Sequence, residues 1–535
     1  MKPTAFFLLL ALSAYPLFAD EDQHHEEMTS QQLGMVHFQV SCSASAQESF
    51  TRGVALLHSF WYEESEKAFQ KAATDDPQCA MAHWGVAMSL WHQLWNHPDE
   101  AIAARGLAEA KQAESLQGRT ARERGYIAAI AAFYKGLNQQ NYYASASAYS
   151  DAMRRVYQKY PEDHEAAAFY ALSLLASEPE DNPDLTRRKQ AAAVLEKLFA
   201  QEPDHPGVAH YLIHTYDKPG LAELGLPAAR RYAQIAPAAP HALHMPSHIF
   251  ARLGLWQDDI DSNLASIAAS QHSAAMHMGG ESHEFHAMDF LVYAYIQVGR
   301  EADAWRVIEQ VKAMPPMKDM YGTGYDPHLS AASTFEAMYP LELHHWADAA
   351  ALTLVPGAEP VDNAMVEWAR AIGAARSGDL AAARACAAEI EKVHDELLRK
   401  KKPSPAKDVG QEFQEATAWI DHAEGKDDAA IKILRAIADR EDGGSDMSGE
   451  IPAHEMLGDL LLEMKRPEQA LLEYQTDLKL NPNRFDALYG AGRSAEMLGK
   501  SELADTYYAQ LAKQCAGSAS TRPELTQARA RLAGN

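Results

Sequence analysis

Residues 457–482 read LGDLLLEMKRPEQALLEYQTDLKLNP, and the same pattern returns one register later. Leu457-Gly458 recurs as Ala491-Gly492, Ala470 as Ala504 and Tyr474 as Tyr508, each 34 residues on. Pro482 closes the first copy after Leu478-Lys479-Leu480-Asn481. Small residues at the first places let two antiparallel helices approach closely, and the aromatic ring fills the gap beside them. Proline then ends the second helix, because it has no N–H to donate. From Ser41 onward short helical segments alternate with short turns, and no strand-like alternation is present.

The period extends outward from this stretch. Trp346 and Ala349 recur as Leu380 and Ala383, and near the start Gly53, Phe69, Ala72 and Pro77 occupy the same places. The next unit then opens at Cys79, with His83, Trp84 and Gly85 in its first helix. A 34-residue period with Gly and Ala at helix contacts, an aromatic in the second helix and Pro at the exit resembles the tetratricopeptide repeat (TPR). The resemblance covers most of residues 41–515 and is loosest between Asp99 and Asp204. It implies an all-α fold: a right-handed superhelical solenoid of antiparallel helix pairs, in roughly ten units. The first helix of each pair would line a concave groove. Residues 41–320 are expected to form an N-terminal array, 321–516 a C-terminal array and 517–535 a capping helix.

Composition restricts the partners. The 535 residues carry 48 basic and 74 acidic side chains, a formal charge of −26. That field repels phosphate backbones, so nucleic acid is not an expected partner. Lys2 followed by the apolar run Phe6–Phe18, with an abrupt change at Asp20, reads as a signal peptide over 1–19. Residues 20–40 are expected to be a disordered acidic linker. No later stretch is long and apolar enough to span a bilayer, so a periplasmic or extracellular location is expected. In an oxidising compartment Cys42 and Cys79 form a candidate disulfide, since each stands at a helix start one repeat apart. Such a bridge would stabilise the first repeat by roughly 3–4 kcal/mol in the chain-entropy model. Cys386 and Cys515 are expected to be free. Tyr321–His328, Arg399–Lys407 and Asp442–Pro452 read as exposed loops, the first a potential lid.

Ten of the 24 histidines fall between His205 and His286. They cluster in three segments: His210, His214 and Asp217; His241, His244 and His248; His283, His286 and Asp289. Spacings of three and four residues put such side chains on one helix face. The repeat register implies that these faces look into the groove from three consecutive units. Imidazole suits zinc, copper and iron, and the donors exceed what one tetrahedral ion needs, so more than one ion is allowed. Asp217 and Asp289 would be ligands or would orient the rings. His83, His92, His97, His272, His277 and His328 are weaker candidates. Tyr211 stands where a zinc-peptidase helix would need a Glu base after its first His, which removes that enzyme class. Glu284 is the one candidate base for a metal-activated water. Three functions stay open: a metal-binding scaffold, a hydrolytic or oxidative metalloenzyme using the same cluster, and a metal-free module binding a protein or peptide in the groove.

Overall fold

The computed structural model describes residues 29–95, 97–137, 141–179, 185–278, 281–315, 326–441 and 451–534. The expected signal peptide, residues 321–325 of the expected lid and residues 442–450 lie outside them. Among the described residues every regular element is a helix, and consecutive helices pack pairwise along the chain. No helix among them is long and apolar enough to cross a membrane.

The repeat period has a steric cause. The Tyr474 ring is wedged between Gly458 and Gly490, and a Cβ on Gly490 would come within 2.2 Å of it. Phe69 is held in the same way by Gly53 and Gly85, and Tyr508 by Gly492. The turn inside each pair is equally regular. A residue with positive φ follows the first helix, with paired amide bonds back to the carbonyls three and five residues earlier. Gly254, Gly299, Gly378, Gly425 and Gly499 fill that place at no steric penalty. In the first unit Phe60 fills it, with φ 53°.

Cys42 and Cys79 are joined, with Cα atoms 5.1 Å apart. Cys386 and Cys515 are free and buried. The basic stretch expected as a loop is shorter than its prolines suggested. Pro403 is the first residue of the helix Pro403–Ala423, where a missing N–H does no harm.

The expected linker needs a larger correction. Residues 33–40 are ordered and run along the inner helices of the first units. Leu33, Val36, Phe38 and Val40 are buried while Met35, His37 and Gln39 face out. The Phe38 ring packs on Phe50 at 5.2 Å, Trp84 at 5.5 Å, Tyr126 at 4.8 Å and Phe169 at 6.5 Å, one ring from each of four units. The backbone of this strap is satisfied from the sides. Gln47 accepts from the Val40 N–H and donates to the Phe38 carbonyl, Glu123 accepts from the Ser41 N–H, and Arg122 donates to the Gln39 carbonyl. Its alternating apolar residues bury enough surface to outweigh the entropy of ordering an extended segment.

The C-terminal units dock back on the middle of the chain. Trp256 Nε1 donates to the Asn483 carbonyl at 3.0 Å, and Gln297 Oε1 accepts from the Phe485 N–H at 2.8 Å. Beside them Arg484 is buried, paired with Glu342 at 2.9 Å and Glu455 at 2.7 Å, and it donates to the Tyr293 hydroxyl at 3.0 Å.

One carboxyl makes stability depend on pH. Burial pushes Glu441 up to about 7, only partly offset by the Ala453 N–H that it accepts at 2.8 Å. Between an ordinary carboxylate value and about 7 the folded state therefore holds a proton that the unfolded chain has released. Stability falls as pH rises through that window. Glu441→Gln should remove this slope, gaining about 1–3 kcal/mol on the parent between pH 5 and pH 8 in chemical unfolding. Parallel pH profiles for the two proteins would refute it.

Candidate metal centre

The helix Pro206–Tyr216 begins with Pro206 at its first position and carries His210 and His214 one turn apart. The next inner helix is split at Met245, with Pro246 opening its second half; its two parts hold His241, His244 and His248. The helix Glu281–Gln297 carries His283 and His286. Stacking of these elements sorts the six best-placed histidines into two triads, each with ligand atoms within 4.8 Å of one another: His210, His214 and His241, then His244, His248 and His286. The middle helix serves both. His241 points to one triad, while His244 and His248 point to the other.

Hydrogen bonds set the tautomers. His210 Nδ1 lies 2.6 Å from the His58 carbonyl, which can only accept, so Nδ1 carries the proton and Nε2 is bare. That bare Nε2 stands 3.0 Å from both His214 Nε2 and His241 Nε2. In the second triad His244 Nδ1 donates to Asn263 Oδ1 at 2.7 Å, and His248 Nδ1 to Asp217 Oδ2 at 2.9 Å. Asn263 is fixed in turn, because its amide donates to Asp259 at 2.6 Å. With both rings neutral, two bare Nε2 lone pairs, of His244 and His248, face each other at 3.0 Å. Two nitrogens bound about 2.0–2.1 Å from one ion stand roughly 3.0–3.4 Å apart, so both contacts have metal-ligand spacing.

Burial disfavours the charged form of five of these rings. Burial pushes His210 down to about 3 and His283 to about 4. His214, His241 and His244 are lowered strongly by burial and then by the neighbouring imidazoles. Neutral imidazole is the form that donates a lone pair to a metal.

The expected carboxylates take other places. Asp217 has one oxygen on His248 and the other 2.8 Å from Arg252 Nε, so it orients a ring and joins neither triad. Asp289 is half-buried and joins neither triad; its charge acts on Asp259. Glu284 accepts from Gln271 at 2.8 Å, on the outer helix Trp256–Ala275, and belongs to neither triad. Among the weaker candidates, His83 pairs with Glu109, His97 stacks on Tyr142 and His328 meets the Val311 carbonyl.

Three features escaped the spacing argument. The first is a fully buried network: Glu165 accepts from His58 at 2.8 Å and His205 at 3.2 Å, and Tyr211 bonds His58 Nδ1 at 2.8 Å. Burial alone would raise Glu165, but His205 and His58 outweigh it and hold the carboxylate well below its usual range. This network fixes His58, whose carbonyl positions His210. The second is Asn263, whose role depends on an outer helix. The third is an aromatic wall: Phe60 lies 4.3 Å from His210, and Trp95 5.4 Å from His214. The left-handed backbone of Phe60 was the readable signal, because its turn needs the residue that other units supply as glycine.

No family model matches this sequence, and no curated protein matches it. Among solved structures the chain is similar to the human IFIT1 dimer with m7Gppp-AAAA, at 14% identity, covering 91% of this chain and 99% of that one with a TM-score of 0.35. It is similar also to the APC/C hetero-tetramer Cut9–Hcn1, at 10% identity, 91% and 96% coverage and a TM-score of 0.28. A third is Naa15/Naa10 bound to HypK-THB, at 11% identity, 92% and 91% coverage and a TM-score of 0.24. None of the three assigns a ligand or an activity to this chain.

Proposed function

We propose that this chain is an exported helical-repeat scaffold that binds transition metal, zinc, copper or iron, through the histidine triads of its groove. One observation carries the reading. His244 and His248 each spend their Nδ1 proton on a fixed acceptor and turn bare Nε2 lone pairs on each other at 3.0 Å. A cation between the nitrogens, a metal ion or a proton, stabilises such a contact, and burial disfavours a proton on His244. In the first triad the bare His210 Nε2 lies 3.0 Å from His214 Nε2 and from His241 Nε2, a spacing that suits either a metal ion or a ring N–H. The Cys42–Cys79 bridge supports an oxidising compartment.

The plain peptide-binding alternative has less support, since the strap through Phe38 already lies on the inner helices of the first four units. Elemental analysis of the tag-free protein after loading tests the metal reading. The parent should hold about two equivalents, and the variant with His210, His214, His244 and His248 all changed to Ala less than about a tenth. A parent that holds no metal after reconstitution overturns the proposal.

A further inference from the structure

The two triads differ in what surrounds them. His283 stands beside the first, its ring centroid 4.9 Å from that of His241, the same separation as between His210 and His241. His283 nonetheless stays outside the group of ligand atoms that lie within 4.8 Å of one another, so it flanks the triad and is not one of its donors. The same triad is walled by aromatic rings. Phe60 is 4.3 Å from His210, 5.7 Å from His214 and 5.6 Å from His241. Tyr232 stacks on His210 at 5.1 Å, and Trp95 covers His214 and His241 at 5.4 and 5.8 Å. The Phe60 ring reaches its place only because its backbone adopts the left-handed turn that a bulky side chain resists.

The second triad has a different setting. One ring backs it: Phe290 lies 5.0 Å from His244, 4.7 Å from His248 and 5.3 Å from His286. His286 is exposed, unlike His210, His241 or His244. Among the described residues no carboxylate is grouped with these three rings, and both Asp217 oxygens are engaged, one by His248 and one by Arg252. Aromatic rings screen the first triad on several sides, whereas three nitrogens at a solvent edge leave a coordination position open.

Resting on the metal reading above, we propose that the aromatic wall screens the ion of the first triad, while His244, His248 and His286 hold an ion whose open position takes a small inorganic anion or carboxylate from solution. The first ion is then structural. The second supplies an exchangeable Lewis-acidic position in the groove, which is where any chemistry of this protein has to occur.

Azide is the probe, with cobalt(II) as the reporting metal in the full chain. The parent should bind about two equivalents, and azide should shift the visible spectrum of one of them saturably. His286 is exposed, so His286→Ala should fold as the parent does, lose roughly one equivalent and lose the azide response. Two bound equivalents with no azide response, or a response that survives His286→Ala, would overturn the inference. Failure to bind cobalt at all strikes instead at the metal reading itself.

Discussion

Arg484→Ala should destabilise the protein by about 3–5 kcal/mol, because it strands two carboxylates away from water. Arg484 is 1% exposed, and its guanidinium is shared between Glu455 and Glu342, both buried. Those partners come from the helices Ala453–Glu463 and Pro327–Glu342, while Tyr293 adds a third contact from the helix that carries His283 and His286. Removing the cation leaves both buried carboxyl groups without their shared guanidinium partner. The triple change Arg484→Met with Glu342→Gln and Glu455→Gln should recover a large part of the loss, since no charge is then stranded. Urea unfolding of the three proteins decides it. A loss under about 1 kcal/mol for the single variant would mean that water reaches the cluster.

Phe38→Ala should lower the stability of the N-terminal units by about 3–5 kcal/mol. The ring is 2% exposed and touches aromatic side chains of four successive units, so its removal leaves a cavity that no single helix can close. Arg122, whose guanidinium lies 4.6 Å over the same ring, loses its platform as well. His37→Ala, on the exposed side of the strap, should stay within about 0.5 kcal/mol of the parent. Equal effects of the two substitutions would show that the strap contributes nothing by its packing.

The strap shows where sequence reading stopped. Val36, Phe38 and Val40 alternate with polar residues, a legible period of two, but an acidic lead-in and the short length made a linker the simpler reading. What the alternation packs against is supplied by four units between Phe50 and Phe169. No local pattern encodes that. Of its two expected roles Asp217 takes the orienting one, and the choice comes from outside its segment. Asp217 has the helical spacing of a ligand, yet Arg252, 35 residues on, takes one of its oxygens. Glu284 sits beside His283 in sequence, while its carboxylate bonds an outer-helix glutamine.

The sequence by itself determined the helix pairs and their period. The cause is local: each glycine and aromatic contact spans one unit, so a 34-residue spacing already contains the geometry. It also determined that the histidines of three segments meet, because neighbouring units must stack. Only the tertiary structure decided how they divide. The break at Met245 splits one helix between two triads, the His58 carbonyl and Asn263 choose the tautomers, and a phenylalanine in a left-handed turn lays its ring against one triad and not the other. A lone pair's direction depends on the partner of the opposite ring nitrogen, and here those partners come from other helices.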